Sequence, residues 1–476
     1  MPKSHCLLLS VLLGPISSSL LMAAGSPLPF LVGEQASPTV SLGARQMADE
    51  LGVASGPAHF SAGRLPVGGD LDIRDAVAIA VGRHPSIASA AAAISQQEGQ
   101  VSYAEAGYYP KISAGVNGGR TSTYGNSQVA TISISQMLYD FGKVGGSVEQ
   151  AKGLVFKQQA LLLKQIDNVA QDTALTVLEV HRYQSLQKIA QDQVKAVQNV
   201  LEMVKLRADS GLTSQSDYVQ ATTRVQSAEA NQQQVTSLLA QARARLVTLV
   251  GSPLPARVAE MPIDLETNAQ LNAPLNYASL PQVLAAEAER KSAYGALQNA
   301  KAQRYPTLAL EASANQALSG TNPSNGEKEG RYNTLMLTGN ALLYQGGAVS
   351  AQIASALAGI EKAEATINEA RLAAEDALSR AQEQAGGARM RQNILGQRML
   401  SIDETRALYR EQYTVGTRSV LDLLNAEQER YQAAADQEAA RHDFWQGLIN
   451  YIGAAGRSRE AYQLNNTSIQ QIEIKQ

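Results

Sequence analysis

The chain has 476 residues, a formal net charge of −3 at pH 7, and only 5% aromatic residues. A slightly acidic chain lacks the excess of Lys and Arg that nucleic-acid binders carry, so no nucleic-acid partner is expected. Hydrophobic residues make up 44% of the sequence, mostly Ala, Leu and Val. Together with many Gln and Glu residues, this composition favours long helices over a compact mixed core.

Residues 1–25 have the pattern of a cleaved secretory signal peptide. Lys3 supplies the positive charge, an apolar run follows, and Ala23-Ala24-Gly25 are small enough for cleavage. Gly14-Pro15 interrupts the apolar run, which argues against a transmembrane anchor. The only cysteine, Cys6, lies in this segment without the small and apolar residues that precede a lipidated cysteine. We therefore expect no lipid anchor, disulfide, cysteine metal site or cofactor.

An internal duplication organises the rest of the chain. Landmark residues recur at an offset of 205: Tyr139 with Tyr344, Gly211 with Gly416, and Asp217 with Asp422. Each repeat is predicted to contain a helix, a β-hairpin, a very long helix and a further helix. The predicted segments are a Pro/Gly-rich arm (26–69), the first repeat (70–250), a linker (251–280), the second repeat (281–453) and a polar tail (454–476).

Both hairpins are predicted from alternating apolar and polar residues, which place the apolar side chains on one face. Tyr109-Pro110 and Tyr305-Pro306 precede them, and Gly142 and Gly346-Gly347 let the chain turn into the helices that follow. Each strand reaches the roughly 9–11 residues that a tilted membrane strand needs. Because four strands cannot close a barrel, the pattern predicts that several copies share one. The alternating apolar residues are Ile112, Ala114, Val116, Ile132, Ile134, Leu308, Leu310, Ala312 and Ala314.

A proline-free helix is predicted from Lys143 to Ser210, with apolar residues three and four apart. It would be about 100 Å long, so it must lie along neighbouring helices. Ser210-Gly211-Leu212 ends it, and a second helix follows to Val250. The second repeat has the same plan, with a weak point at Gly386-Gly387 and an end at Val415-Gly416-Thr417.

From about Leu71 to Tyr451 the chain resembles the TolC family of outer-membrane channels. The resemblance implies a mixed α and β fold of mainly long α-helices. Three chains form a periplasmic α-barrel, and four β-strands per chain contribute to a 12-stranded outer-membrane β-barrel. The residues on which the resemblance depends keep the family's order and spacing: Asp75-Ala76-Val77, His84-Pro85, Tyr109-Pro110, Leu138-Tyr139-Asp140-Phe141-Gly142, Gly211-Leu212 and Tyr413 to Arg418.

The resemblance implies a passive exit channel in the outer-membrane lipid, extending into the periplasm. Its partners would be two further copies, a periplasmic adaptor (membrane fusion protein) and an inner-membrane ABC transporter or other pump. We expect the channel of a type I secretion system that exports a protein. The alternative is the channel of a multidrug efflux pump. A periplasmic coiled-coil adaptor would explain the helices but not the four strands. Catalytic motifs such as G-x-S-x-G and H-E-x-x-H are absent from the sequence, so no enzyme is expected.

The resemblance also implies that the helix ends form the periplasmic tip. Gly211, Leu212, Gly416 and Thr417 become candidate positions for docking an adaptor. In the closed tip, Tyr413 and Arg418 would face Asp217 and Ser216, and Arg418 with Asp217 would make a charge-assisted bond that opening breaks. Asp422 matches a carboxylate of a constriction ring. The second ring position is Asn425, where the best-known member has an acid.

A purely structural interpretation of these residues stays open. Ser214-x-x-Asp217 and Ser419-x-x-Asp422 have the spacing of helix N-terminal capping boxes, with Asp in place of Glu. Capping and gating are compatible roles for the two aspartates. For Tyr413 and Arg418 the other interpretation is ordinary surface packing.

Overall fold

The computed structural model describes residues 69–121, 125–271, 273–321, 326 and 328–465, with the backbone of 468–469 and 472–473. All of them belong to the unit Phe60–Gln476. The signal peptide expected over 1–25 and nearly all of the arm over 26–69 lie outside the described residues. So do Tyr124 in the turn of the first predicted hairpin and residues 322–325 and 327 in the turn of the second.

The first repeat begins with two short helices that are separate because Pro85 starts the second one and the preceding His84 is extended. A 3₁₀ turn, Ala106–Tyr108, follows them and leads into the hairpin. The elements in order are α1 (Ile73–Arg83), α2 (Pro85–Glu105), β1 (Lys111–Thr121), β2 (Gly125–Tyr139), α3 (Lys143–Asp209) and α4 (Gln215–Val250).

From its hairpin onward the second repeat has the same order of elements as the first, and short elements of the predicted linker and tail flank it. The duplication extends to the helix ends. α3 and α7 both contain 67 residues. Their starts differ by 348 − 143 = 205, and the starts of α4 and α8 differ by 420 − 215 = 205. The elements are α5 (Ile263–Ala269), a 3₁₀ turn (Tyr277–Ser279), α6 (Pro281–Ala302), β3 (Thr307–Thr321), β4 (Lys328–Asn340), α7 (Ala348–Thr414), α8 (Val420–Ala454), α9 (Ser458–Ala461), β5 (Ser468–Ile469) and β6 (Ile472–Glu473).

α7 continues through Gly386-Gly387, where the sequence predicts a weak point in a helix that runs to Tyr413. Each glycine costs a helix interior only about 1 kcal/mol relative to alanine. Hydrogen bonds of a long helix on either side outweigh that cost, since helix formation is cooperative.

The four long strands form one antiparallel sheet in the order β1-β2-β3-β4. Its register places apolar side chains in one row, because Ile112 pairs with Ile134, Ile134 with Ala312, and Ala312 with Leu335. The neighbouring row on the opposite face is polar. Ser113 and Ser133 hydroxyls hydrogen-bond at 2.7 Å, as do those of Ser313 and Thr334. The alternation in the sequence therefore predicts the two faces of the sheet correctly.

The turn from each hairpin into its long helix uses residues with positive φ at equivalent positions. Phe141 and Gly346 have φ values of 58° and 61°, and Gly142 and Gly347 have values of 96° and 86°. A non-glycine residue in this region is strained, so Phe141 needs support from its surroundings. Its ring lies 4.6 Å from the Tyr139 ring and 5.1 Å from the Tyr305 ring, measured between centroids.

Asp140 fixes the first of these turns further. Its carboxylate accepts hydrogen bonds from the Gly142 N–H at 2.9 Å and the Val144 N–H at 2.6 Å. These are donors that the first turn of a helix otherwise leaves without a partner. The equivalent residue of the second repeat is Gln345, in a stretch where Leu343 and Tyr344 are exposed. The two turns therefore differ in the side chains that hold them.

Glycines set the close approach between α3 and α6. A Cβ on Gly146 would lie 2.4 Å from the Asn299 nitrogen, and a Cβ on Gly153 would lie 2.6 Å from the Ser292 nitrogen. Gly295 makes the reciprocal contact with the backbone of Gln150. Residue numbers rise along α3 as they fall along α6, so the two helices are antiparallel. The backbones can approach this closely only because no side chain separates them.

The largest core lies where the linker and the chain's last described helices meet the first repeat. Leu71 forms a parallel bridge with Val258, and Leu265 of α5 is fully buried. Tyr462 and Leu464 pack into the same core, although no pattern in the sequence of the tail predicted order there. The Arg459 Nε donates to the Asp167 carboxylate at 3.2 Å. Burial raises the Asp167 pKa to about 6, against the opposing effect of Arg459.

Replacing Gly153 with alanine should destabilise the protein by about 1–3 kcal/mol, because the new methyl group meets the α6 backbone. The matched control is Gly386→Ala in α7, where an added Cβ has no atom within 4 Å. That change should be neutral or stabilise by up to about 1 kcal/mol. Thermal unfolding of the purified proteins measures both changes. Equal shifts for the two variants would contradict the close crossing.

Candidate functional site at the helix breaks

The breaks that end α3 and α7 have the same backbone structure. At the first, the Gly211 N–H donates to the Ala208 carbonyl at 3.0 Å and the Leu212 N–H donates to the Arg207 carbonyl at 2.8 Å. At the second, Gly416 donates to Tyr413 at 3.1 Å and Thr417 to Gln412 at 3.0 Å. This is the Schellman pattern of helix termination, which needs a left-handed residue after the helix. Gly211 and Gly416 supply it with φ values of 70° and 82°.

The helices that follow the breaks begin with the predicted caps. The Ser214 hydroxyl accepts from the Asp217 N–H at 3.2 Å, and the Asp217 carboxylate accepts from the Ser214 N–H at 3.3 Å, so the reciprocal capping box is present. At the second break Ser419 accepts from the Asp422 N–H at 3.2 Å, and its hydroxyl donates to the Asp422 carboxylate at 2.8 Å. The predicted capping box is confirmed for Asp217, whereas at the second break only Ser419 caps the helix, because the Asp422 carboxylate accepts from the Ser419 hydroxyl and not from its backbone N–H.

Asp217 also accepts a hydrogen bond from the Thr213 hydroxyl at 2.5 Å. This bond, ahead of those from Ser214, lowers the pKa of the Asp217 carboxyl below its ordinary value of 3.8. A lowered pKa means that the cap contributes stability above pH 3.8 and loses it as the pH falls through the folded-state pKa. Asp217 is therefore a carboxylate at neutral pH.

The four candidate docking residues, Gly211, Leu212, Gly416 and Thr417, are all exposed. Leu212, which follows Gly211 at the first break, is 69% exposed. Val415, which precedes Gly416 at the second break, is 71% exposed. Each break thus presents an apolar side chain on a turn whose backbone the Schellman bonds hold. The role of these positions in docking stays a prediction.

Tyr413 is buried, with 4% of its surface exposed. It packs in a cluster that joins all four long helices, so surface packing does not describe it. Among the described residues its hydroxyl has no hydrogen-bond partner. Burial raises the Tyr413 pKa against the opposing charge of Arg207, and the Asp217 charge adds a smaller rise. The cluster contains Val197, Val200, Val204, Ala221, Val225, Tyr413, Val420, Leu423 and Leu424.

Arg418 contacts residues of its own helical hairpin. Its Nε donates to the Gln412 side-chain oxygen at 3.0 Å, and its guanidinium lies 4.3 Å from the centre of the Tyr409 ring. One terminal nitrogen lies 3.7 Å from the Asp422 carboxylate. Within the described part of this single chain, Arg418 is not paired with Asp217, and Ser216 is exposed. The gate bond between Arg418 and Asp217 stays a prediction.

Two arginines that the sequence analysis missed connect the repeats at this end. The Arg224 guanidinium on α4 donates to the Asn425 side-chain oxygen on α8 at 3.1 Å. The Arg207 guanidinium on α3 donates to the Tyr413 carbonyl on α7 at 2.6 Å. Neither arginine has an arginine 205 residues later, where Glu429 and Gln412 stand. The duplication therefore gave no signal for them.

Asn425, the second predicted ring position, is exposed beside a cation, while Asp422 lies near Arg418. Asp422 and Asn425 are thus each accompanied by an arginine from the same chain, whereas Asp217 accepts from Thr213 and Ser214. In the described part of the chain, no cluster of three or more His, Cys, Asp or Glu residues could hold a metal ion.

Comparison with known proteins identifies the family. The family model "Outer membrane efflux protein" matches residues 77–252 and 277–457, which cover both repeats. The chain belongs to the outer membrane efflux protein family. This is a family of outer-membrane channels, and the TolC-like resemblance, the fold class and the outer-membrane location predicted from the sequence are confirmed.

Individual relatives are more distant. The probable efflux pump outer membrane protein TtgC and the antibiotic efflux pump outer membrane protein ArpC, both from Pseudomonas putida, are each 29% identical to this chain over 203 residues. That match spans 41% of this chain and 41% of each relative, so the chain spans about two fifths of the length of the curated relatives it matches.

Solved structures share the fold over much more of the chain. The outer membrane protein VceC of Vibrio cholerae has a TM-score of 0.69 at 18% identity, covering 81% of this chain and 96% of that one. The CmeC outer membrane channel of Campylobacter jejuni has a TM-score of 0.67 at 13% identity, covering 85% of this chain and 93% of that one.

Among the described residues, no single helix is long and apolar enough to cross a membrane. Only the pair Ile73–Arg83 and Pro85–Tyr108, bent by 47°, meets that length and composition.

Replacing Ser214 with alanine removes one half of the capping box and should cost about 1 kcal/mol locally. Hydrogen exchange of the first turn of α4 should then become about fivefold faster, since local opening limits exchange there. Ser216→Ala is the matched control, because Ser216 is exposed and lies outside the capping box. Mass spectrometry of a peptide that spans residues 211–222 compares them. Identical exchange in both variants would show that Ser214 does not cap the helix.

Proposed function

We propose that the protein is the outer-membrane exit channel of a multidrug efflux pump and works as a trimer. The observation that carries this proposal is the open sheet with one apolar face, placed on two very long helices in a chain of the outer membrane efflux protein family. The curated relatives TtgC and ArpC are named as efflux pump components. Their names favour the efflux alternative over the type I secretion role that we expected first from the sequence.

The edges of the sheet support assembly. Among the described strands, β1 and β4 each pair with one neighbour only, so each has one edge of free N–H and C=O groups. Such groups cost several kcal/mol each in lipid, where no water can satisfy them. Pairing β1 of one copy with β4 of the next removes both edges. Three copies then close a barrel of 12 strands, an even number within the usual range.

The apolar row of the sheet supports contact with lipid. Ile112 is 70% exposed, Leu335 71% and Leu337 69%. On the opposite face Ser113, Ser133 and Thr334 present hydroxyl groups to what would be the water-filled interior. Side chains of a membrane barrel alternate in this way along every strand.

Exposed apolar residues along α7 support packing between copies. Leu372, Met390, Ile394 and Leu400 are each at least two-thirds exposed in the single chain. A helix of this length gains most of its stability from burying such side chains against neighbours. The neighbouring copy's outer helices would cover them and complete a helical tunnel.

For the tip we assign the gate to Ser216, Asp217, Tyr413, Arg418, Asp422 and Asn425, and adaptor docking to Gly211, Leu212, Gly416 and Thr417. Exposed Leu212 and Val415 on rigid turns support docking of a partner with an apolar groove. A periplasmic adaptor and an inner-membrane pump would deliver the substrate, and the channel would conduct it passively.

A deletion strain tests the choice between efflux and secretion. Loss of the gene should increase susceptibility to several structurally unrelated drugs while leaving secreted proteins unchanged, and the full chain should restore resistance. Loss of one secreted protein with unchanged drug susceptibility would instead support type I secretion and overturn the efflux role.

Leu335→Lys should reduce the amount of trimer in the outer membrane, because a lysine on the lipid face costs about 2–4 kcal/mol near the bilayer centre and less toward its surfaces. Thr334→Lys is the matched control, since residue 334 is adjacent but on the polar face. Quantifying trimers in outer-membrane fractions measures both. A larger loss for Thr334→Lys would reverse the assignment of the two faces.

A further inference from the structure

Arg207 makes two contacts with the end of the other repeat and lies close to a further residue there. It lies in the last turn of α3, and its terminal nitrogen donates to the Tyr413 carbonyl in the last turn of α7 at 2.6 Å. Its guanidinium lies 4.9 Å from the centre of the Tyr413 ring. It also approaches Gly416, where a Cβ would lie 3.6 Å from the second terminal nitrogen.

Both contacts with Tyr413 are favourable. The Tyr413 carbonyl is at the negative end of the α7 dipole, so a cation there is stabilised. A hydrogen bond with a charged donor is stronger than one between neutral groups. The flat guanidinium also gains from the face of the tyrosine ring. Because Tyr413 is almost fully buried, water competes little for these interactions.

The second repeat makes no equivalent contact with the first. The residue equivalent to Arg207 in the second repeat is Gln412, and the residue equivalent to Tyr413 in the first is Ala208. Gln412 accepts a hydrogen bond from Arg418 instead. Arg418 therefore braces the second helical hairpin internally, whereas Arg207 connects the first hairpin to the second.

We propose that Arg207 is a positioning residue of the gate, which pins the end of α7 to the end of α3 within each chain. The pin keeps the two helical hairpins together and holds Tyr413 in the closed tip. This inference rests on the proposed channel function. Arg207 is not among the residues that the resemblance implies or among the gate positions assigned above. Opening that moves α7 away from α3 must break the pin.

Planar-bilayer recording of the purified full-length assembly tests the pin. Arg207→Ala should increase open probability by about tenfold, the equivalent of one charge-assisted hydrogen bond. Arg207→Met keeps the length of the side chain and should give the same result if Arg207→Ala assembles poorly. Arg207→Lys keeps the charge but loses the planar group that stacks on the ring, so its increase should be smaller.

Two control variants separate the pin from other effects. Lys205→Ala removes an exposed cation two residues away, and its open probability should equal that of the wild type. Tyr413→Phe keeps both the carbonyl and the ring, so Arg207→Ala should increase open probability by the same factor in the Tyr413→Phe background as in the wild type. In a double-mutant cycle, Tyr413→Ala should have less effect in the Arg207→Ala background than alone, because the two side chains share one contact.

The outcomes distinguish this inference from the proposed function. If the wild-type assembly conducts but Arg207→Ala and Arg207→Met have unchanged open probability, the pin is wrong and the channel stands. If these variants lower the thermal midpoint of the trimer without changing open probability, Arg207 is only structural and the inference is overturned. If the wild-type protein forms no conducting assembly, the proposed channel function itself fails.

Discussion

A helix of 67 residues is the constraint on which the rest of this structure depends. It extends about 100 Å, and no globular core can surround it over that length. Its apolar side chains must therefore be covered by other helices that run alongside it. The chain supplies two such helices, α3 and α7, and gives each several partners. The glycines of α3 and α6 follow from this arrangement, because helices that stay adjacent over many turns gain from a close backbone approach.

Packing within one chain leaves two kinds of surface uncovered. The sheet has two outer strands with one neighbour each, and α7 has exposed leucines on its outer side. Further copies of the chain would hydrogen-bond the free backbone groups at the sheet edges. They would also bury the exposed apolar side chains of α7. A trimeric channel satisfies both with one symmetry operation, which is why we favour it over an adaptor that has helices alone.

Duplication provides the framework, and departures from it provide the asymmetry on which the proposed gate depends. Both breaks share the Schellman turn and the serine cap, so the ends of α3 and α7 are built alike. Asp140 caps only the first junction, and Arg207 and Arg224 both reach from the first repeat to the second. One repeat therefore holds the other at the tip through side chains that have no counterpart in the duplicated pattern.

The sequence alone determined the features that depend on neighbours along the chain. Strand alternation predicted the two faces of the sheet, and Gly211 and Gly416 with their serine caps predicted the helix ends to within one or two residues. The offset of 205 predicted the duplication, and the order of the motifs predicted the family. These signals are local, because backbone hydrogen bonding and side-chain periodicity repeat over two to four residues.

The tertiary structure decided what lies between residues distant in the chain. It brought Leu71 to Val258 and placed Tyr462 in the core. It also gave Tyr413 a partner in Arg207, 206 positions away. Such pairs leave no periodic trace in the sequence, because a single arginine on a long helix looks like any other solvated charge until the fold brings a carbonyl and a ring to it.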